Sequence, residues 1–221
     1  MRREEFYGSS GFGKMEKNAL NLYGLTVGPV ETNCYILWRE GRTDALVIDP
    51  GDEGEEIAAS LRDRGLSAGA VLLTHGHFDH TGGLSAFLGV PVYLHQADLP
   101  MLKSPELSAA FLTGDTRPRP TDALPVSDGE VLSLCGFSVQ VLSTPGHTKG
   151  SVCYLVDGEI LFSGDTLFQA GYGRTDLPGG SFSELRQSLR KLLSMEKDVP
   201  VYPGHGGATT LFRERRLLWN C

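Results

Sequence analysis

The stretch Thr74-His75-Gly76-His77-Phe78-Asp79-His80 places four potential metal ligands within six positions, directly behind the apolar run 70–73. A run of that length reads as a buried strand, so the histidines arrive straight off a strand end. Side chains two apart in extended backbone point the same way, and His75 and His77 can therefore grip one ion together. Asp79 and His80 then point elsewhere, towards a second ion. Imidazole and carboxylate suit a borderline divalent cation such as zinc, at about 2.0–2.2 Å. The alternative is a solvated histidine loop or histidines satisfied in a core. With six histidines in the whole chain, a chance H-x-H-x-D-H is on the order of one in a few thousand.

A catalytic metal pair needs further ligands from other strand ends. Thr144-Pro145-Gly146-His147, Ser163-Gly164-Asp165 and Pro203-Gly204-His205 each set a ligand type just past a strand-like segment and beside glycine. Glycine there permits a tight turn and close backbone approach. Alone, His147 or His205 reads as an ordinary loop histidine and Asp165 as a turn residue. Together, five of the chain's six histidines fall in such positions. Asp49, in Ile48-Asp49-Pro50-Gly51, is either a turn residue or a group that orients a ligand histidine from behind. His95 is expected to be structural.

Residues 25–27, 33–38 and 45–48 read as short strands of an antiparallel meander. A surface helix is expected over 53–64, with Gly65 at C′ and Leu66 as its hydrophobic partner. Short helices at 83–88 and 96–103 flank a strand at 91–94. Residues 104–129 read as a long loop of the kind that covers functional sites, with a turn of helix at 106–112. Strands follow at 131–134, 138–143, 151–156 and 160–163. Ser181 and Glu184 form a capping-box pattern ahead of Leu185, Leu189, Leu192 and Leu193 on one helical face. A last strand at 199–202 and a closing helix at 209–218 complete the layout. Two strand groups, each with helices following, suggest two sheets packed face to face with helices outside.

The chain has 221 residues, 40% hydrophobic and 21% charged, which fits one domain, assigned to 23–221. Its net charge of −7 argues against a nucleic-acid surface dominated by lysine and arginine. No apolar run approaches the roughly 20 residues of a membrane span. Residues 1–22, without a signal-peptide h-region, are expected to be a polar, partly frayed extension. Cys34, Cys135 and Cys153 sit inside apolar segments and Cys221 ends the chain. That pattern reads as three buried thiols and one exposed, in a reducing cytoplasm.

The motifs H-x-H-x-D-H, T-P-G-H, S-G-D-T and P-G-H together resemble the metallo-β-lactamase superfamily, and within it the glyoxalase-II-like (hydroxyacylglutathione hydrolase-like) branch, over about residues 25–210. The resemblance implies an α/β fold, a four-layer αββα sandwich of two mixed sheets. It implies two divalent ions, zinc first, with iron or manganese as alternatives. His75, His77 and His147 would hold one, Asp79, His80 and His205 the other, and Asp165 would bridge. Asp165 stands where lactam-hydrolysing relatives often carry cysteine, which points away from antibiotic hydrolysis. The stretch Gly171-Tyr172-Gly173-Arg174-Thr175-Asp176 resembles short glyoxalase-II-like proteins and persulfide dioxygenases. By that resemblance Arg174 and Tyr172 are candidate substrate-binding residues, Arg174 for a glutathione carboxylate; a simple ion pair of Arg174 with Asp176 is the alternative. Only 16 residues follow His205, whereas full-length glyoxalase II carries a C-terminal helical domain that supplies much of its glutathione site.

The implied activity is hydrolysis of a small hydroxyacyl thioester, S-lactoylglutathione or a similar conjugate, by a hydroxide bridging the metals, with Asp79 and Asp165 as catalytic carboxylates. One rival is a persulfide dioxygenase with a single iron on His75, His147 and Asp165. Such enzymes tend to read P-A-H where this chain has Pro203-Gly204-His205. A second rival is a non-catalytic metal or thiol binder.

Overall fold

The computed structural model describes residues 2–7 by their backbone, and 19–117, 119 and 122–218. One sheet contains β1 (Arg2–Tyr7), β2 (Leu20–Val27), β3 (Thr32–Arg39), β4 (Asp44–Ile48), β5 (Ser67–Leu72), β6 (Val92–His95) and β7 (Leu124–Val126), in that spatial order. Its pairings are antiparallel from β1 to β4 and parallel from β4 to β7. The second sheet draws on β8 (Val131–Leu134), β9 (Phe137–Ser143), β10 (Val152–Val156), β11 (Ile160–Gly164), β14 (Pro200–Pro203) and β15 (Thr209–Thr210), ordered β15-β14-β11-β10-β9-β8. Between β11 and β14 lie β12 (Leu167–Phe168) and β13 (Gly171–Tyr172), which form a separate hairpin. The β11–β14 pairing is parallel and the rest of that sheet antiparallel.

Three apolar layers follow from the alternation of side chains along these strands. Leu22, Tyr35, Leu37, Leu46 and Leu72 meet Val139, Val141, Tyr154, Phe162 and Tyr202 between the sheets. The opposite face of the first sheet, with Ile36, Val47 and Val71, is covered by Ile57 and Leu61 of helix α1 (Gly54–Asp63). The outer face of the second packs Cys153, Leu161 and Val201 against Leu185, Leu189 and Leu192 of α3 (Phe182–Leu193) and Leu211 of α4 (Leu211–Leu218). The four-layer αββα sandwich is therefore realised.

The local expectations fare unevenly. Leu66 N–H bonds Leu61 O and Gly65 N–H bonds Arg62 O, both at 2.9 Å, which closes α1 as a Schellman motif. Ser181 caps α3 by accepting from Glu184 N–H. The expected strand 25–27 is too short: β2 pairs with β3 along its whole length, from Leu20↔Arg39 to Val27↔Thr32. Residues 2–7, expected within a frayed extension, pair with the outer edge of β2, whose backbone groups would otherwise go unpaired in the sheet. Residues 8–18 of that extension, Pro118, Pro120 and Cys221 lie outside the described residues. The 104–129 loop yields a strand, β7, because Val126 is drawn into the inter-sheet core. Cys135 is half-buried rather than buried; Cys34, Cys135 and Cys153 are free thiols. The expected helices 83–88 and 96–103 are 3-10 segments, Leu84–Phe87 and Gln96–Lys103.

Candidate metal centre

Five strands deliver polar residues to one edge of the sandwich. Asp49 follows β4, His75 follows β5 after two residues, His147 follows β9, Asp165 follows β11 and His205 follows β14. Parallel pairing of β4 with β5 and of β11 with β14 puts these ends on the same side. The short helix α2 (Phe78–Thr81) carries Asp79 and His80 back over them.

The side chains converge as two groups. His75 Nε2 lies 3.0 Å from His77 Nδ1, which lies 2.9 Å from His147 Nε2. His205 Nε2 is 3.2 Å and His80 Nε2 3.6 Å from Asp79 Oδ2. Asp165 stands between the groups: its Oδ2 is 3.5 Å from His147 Nε2 and 3.6 Å from His205 Nε2, and its Oδ1 is 3.4 Å from His80 Nε2. In each of the triplets His75–His77–His147, His75–His80–Asp165 and Asp79–His80–His205 the ligand atoms lie within 4.8 Å of one another.

The hydrogen bonds behind this cluster decide which atoms face it. Thr74 Oγ1 donates to Asp49 Oδ2 at 2.7 Å, so its oxygen is left to accept from His75 Nδ1 at 3.2 Å. His80 Nδ1 donates to Asp49 Oδ2 at 2.9 Å, and His147 Nδ1 to the Arg174 carbonyl at 2.7 Å. With Nδ1 so engaged in each of these three rings, their Nε2 atoms point inward. Buried His80 Nε2 and Asp165 Oδ1 find no hydrogen-bond partner. Lone pairs aimed at one another at about 3 Å repel unless a proton or cation lies between them. A donor set of buried imidazoles and carboxylates fits divalent cations of the zinc or iron type.

Electrostatics separates the two halves. Burial, with the neighbouring charges of His80 and His77, pushes His75 well below the usual imidazole range. Burial and His147 lower His77 to about 3. Burial alone would lower His80 too, but Asp79, Asp49 and Asp165 around it hold it well above the usual range. Desolvation opposes ionisation of Asp79, yet His80 and a hydrogen bond from His205 bring it down to about 2; His80 likewise lowers Asp165 despite burial. The metal-free cluster thus keeps neutral lone pairs on one side and a proton among carboxylates on the other, where a cation would replace it.

Asp49 also accepts from Thr74 N–H at 2.8 Å, so it orients two of the histidines and is more than a turn residue. Its φ of +50° is strained backbone at the site. Of the two readings of Arg174 the ion pair is the one observed: its exposed guanidinium forms a two-point pair with Asp176 at 2.7 and 2.6 Å, while its carbonyl orients His147. Tyr172 turns its ring towards Phe182, 5.9 Å between centroids, and lines a groove of about 370 Å³ between α3 and α4. His95 accepts from Ala97 N–H as a helix cap, the structural role expected of it.

Several residues escaped the sequence reading. Thr32 Oγ1 donates to Asp79 Oδ2 at 3.0 Å. Asn33 binds the Pro203 and Gly206 carbonyls and Tyr35 OH the Pro203 carbonyl, pinning the His205 loop to the first sheet. Arg119 donates to Phe78 O, Thr81 Oγ1 and Asp115, and so straps the 104–129 segment to α2. No spacing signal marks these, because every contact but Arg119–Asp115 spans 38 residues or more.

Residues 27–205 match the family model of the metallo-beta-lactamase superfamily. "Probable metallo-hydrolase YqgX" of Bacillus subtilis is 40% identical over 198 residues, 86% of this chain and 92% of that one. The hydroxyacylglutathione hydrolase GloC of Haemophilus influenzae is 34% identical over 204 residues, 89% and 96% of the two chains. Among solved structures, the B3 metallo-beta-lactamase BLEG-1 superposes with a TM-score of 0.82 at 37% identity, covering 88% and 96%. TTHA1623 in a di-iron-bound form gives 0.79 at 41%, covering 88% and 97%, and ETHE1 from Myxococcus xanthus 0.71 at 28%, covering 89% and 82%. With an αββα sandwich, a histidine–aspartate cluster at its strand ends and this match, the chain belongs to the metallo-beta-lactamase superfamily.

Proposed function

We propose that the chain is a binuclear metallo-hydrolase that cleaves thioesters of small hydroxyacyl groups, with S-lactoylglutathione as the reference substrate. The observation that carries the reading is the Asp165 carboxylate, lying within 3.6 Å of ligand nitrogens in both groups. His75, His77 and His147 would hold one ion, Asp79, His80 and His205 the other, and Asp165 would contact both. Zinc suits this donor set, and the di-iron form of TTHA1623 makes iron a second choice. Such ions supply Lewis acidity and lower the pKa of coordinated water from near 16 to about 7.

The chain's own residues do the rest. Asp49, Thr74 and the Arg174 carbonyl fix the imidazoles, and Thr32 fixes Asp79. Asp79, which His80 and a hydrogen bond from His205 favour in its ionised form, can accept a hydrogen bond from the attacking water and orient it. Beside it, Val27, Pro29, Val30 and Phe78 wall an open cavity of about 250 Å³ that Thr113, Asp115 and Arg117 also line. That wall suits a small neutral acyl group. Among the described lining residues its one cation, Arg117, is already bonded to Asp115 and Asp52. A thiolate leaves without help from an acid, since thiols ionise near pH 8.5, so the carrier's thiol needs no donor on the chain.

The test quantifies zinc, iron and manganese in the purified protein, then measures thiol release from lactoylglutathione, oxygen uptake with glutathione persulfide, and opening of a chromogenic cephalosporin. Two ions per chain and thiol release are expected. One iron per chain with oxygen consumption would instead establish the dioxygenase reading, and full metal occupancy without any turnover a binding protein.

A further inference from the structure

Asp98 is as buried as His75, His77, His80 and His147, 1% exposed, and stands in the 3-10 segment Gln96–Lys103. Its carboxylate does not cap its own helix, a task taken by His95. All three of its bonds go to other segments. Oδ2 accepts from Gly76 N–H at 3.1 Å and from the Thr148 hydroxyl at 2.6 Å; Oδ1 accepts from Gly150 N–H at 2.8 Å. Gly76 is the residue between His75 and His77, and Thr148 follows His147. One carboxylate therefore ties together the two strand-end loops whose nitrogens converge within 3.0 Å.

A second observation agrees. The two backbone donors are both glycines, and both lie against the Asp98 segment. A Cβ on Gly150 would fall 2.6 Å from Asp98 Cγ, and one on Gly76 2.7 Å from Met101 Cβ. A side chain at either position would push the segment off the loops it joins.

We propose that Asp98 is a positioning residue that sets the geometry of the three-histidine cation site by cross-linking the His75–His77 loop to the His147 loop. The proposal rests on the reading of those histidines as cation ligands. Outer partners of metal ligands commonly change metal affinity about 10–100-fold when removed, because they fix ligand orientation. Here the partner acts one step further out, on the backbone that carries the rings.

The experiment titrates zinc into the metal-free full chain against a chromophoric chelator, with zinc stoichiometry and the absorption of the cobalt-substituted protein read alongside. Asp98→Ala is expected to weaken zinc binding at the three-histidine site by about 10–100-fold and to alter the cobalt bands. Asp98→Asn falls between it and the wild type: its amide nitrogen can face the Thr148 hydroxyl, which turns to accept, but Gly76 N–H then loses its acceptor. Glu214→Gln is the control, a carboxylate equally buried that accepts from Ala170 N–H and Thr209 instead. It is expected to leave zinc affinity unchanged. If Asp98→Ala does not fold, Asp98→Asn and Thr148→Val carry the test, each weakening zinc severalfold. Zinc affinity within twofold of wild type in the Asp98 and Thr148 variants, or an equal loss in Glu214→Gln, would overturn the proposal. A wild-type chain that binds no zinc, iron or manganese would overturn the metal reading beneath it.

Discussion

Gly204→Ala tests whether the two ligand groups act as one pair. A Cβ at Gly204 would lie 2.2 Å from Asp165 Oδ1 and 2.7 Å from His80 Cε1. Real Cβ contacts essentially never fall below 3.0 Å, so the carboxylate must retreat by about 0.8 Å, from 2.2 to 3.0, or the loop must move outward. Asn33 and Tyr35 pin that loop through the Pro203 and Gly206 carbonyls, so Asp165 and His80 are the groups that yield. Ligand distances tolerate only about 0.2 Å, and a displacement about four times larger removes Asp165 from one of its two groups. The strain costs about 1–3 kcal/mol, small enough for the chain to stay folded. The expected result is one metal per chain in place of two. A fall of about 100-fold in kcat/KM for thioester hydrolysis should accompany it, about 2.7 kcal/mol of lost transition-state stabilisation. Metal content by atomic emission and thiol release from lactoylglutathione read both quantities. Two ions retained with kcat/KM within twofold of wild type would refute the reasoning.

Asp165→Ala is expected to abolish turnover and lose metal; unchanged kinetics would take Asp165 out of the bridging position. The halves of the site should also differ in pH dependence. His75 and His77 have lowered pKa values and carry no proton to displace, whereas His80 and His205 have raised ones and must release theirs. Affinity for the second ion should therefore fall as pH drops from 7 to 5, roughly tenfold per unit for each proton released, and that for the first much less; parallel pH slopes in calorimetric titrations would contradict this. Asp115, held below the usual carboxylate range by Arg117 and Arg119, contributes stability above its unfolded pKa of about 3.9. That contribution is lost as pH falls through its lower folded value, so Asp115→Asn should be destabilising at pH 7 and approach wild type in strong acid. Leu189→Ala, emptying the layer under α3, should cost about 2–5 kcal/mol in denaturant unfolding without changing metal content.

The divide between what was legible in the sequence and what was not follows distance along the chain. His75, His77, Asp79 and His80 announced themselves because six consecutive positions hold them. His147, Asp165 and His205 were legible because each sits beside glycine at the end of an apolar run, a local pattern that strand geometry imposes. Helices α1 and α3 were legible for the same reason, their caps lying within a few residues of the periodic face they bound. Strand lengths were not: β2 runs back to Leu20 because β3 and β1 are there to pair with it, and β7 forms because Val126 finds a place between the sheets.

From the residues alone came the kind of chemistry, the ligand types and the strand ends that carry them, since these are written in short spacings and in the valence of imidazole and carboxylate. Tertiary structure alone decided how the site is held. Asp98 reaches Gly76 and Gly150 across 22 and 52 residues, Thr32 reaches Asp79 across 47, and Asn33 reaches Pro203 across 170. It also decided that Arg174 turns its guanidinium to Asp176 and its carbonyl to His147. Hydrogen bonds of that span depend on which loops the sandwich brings side by side, and no periodicity within one segment encodes its neighbour.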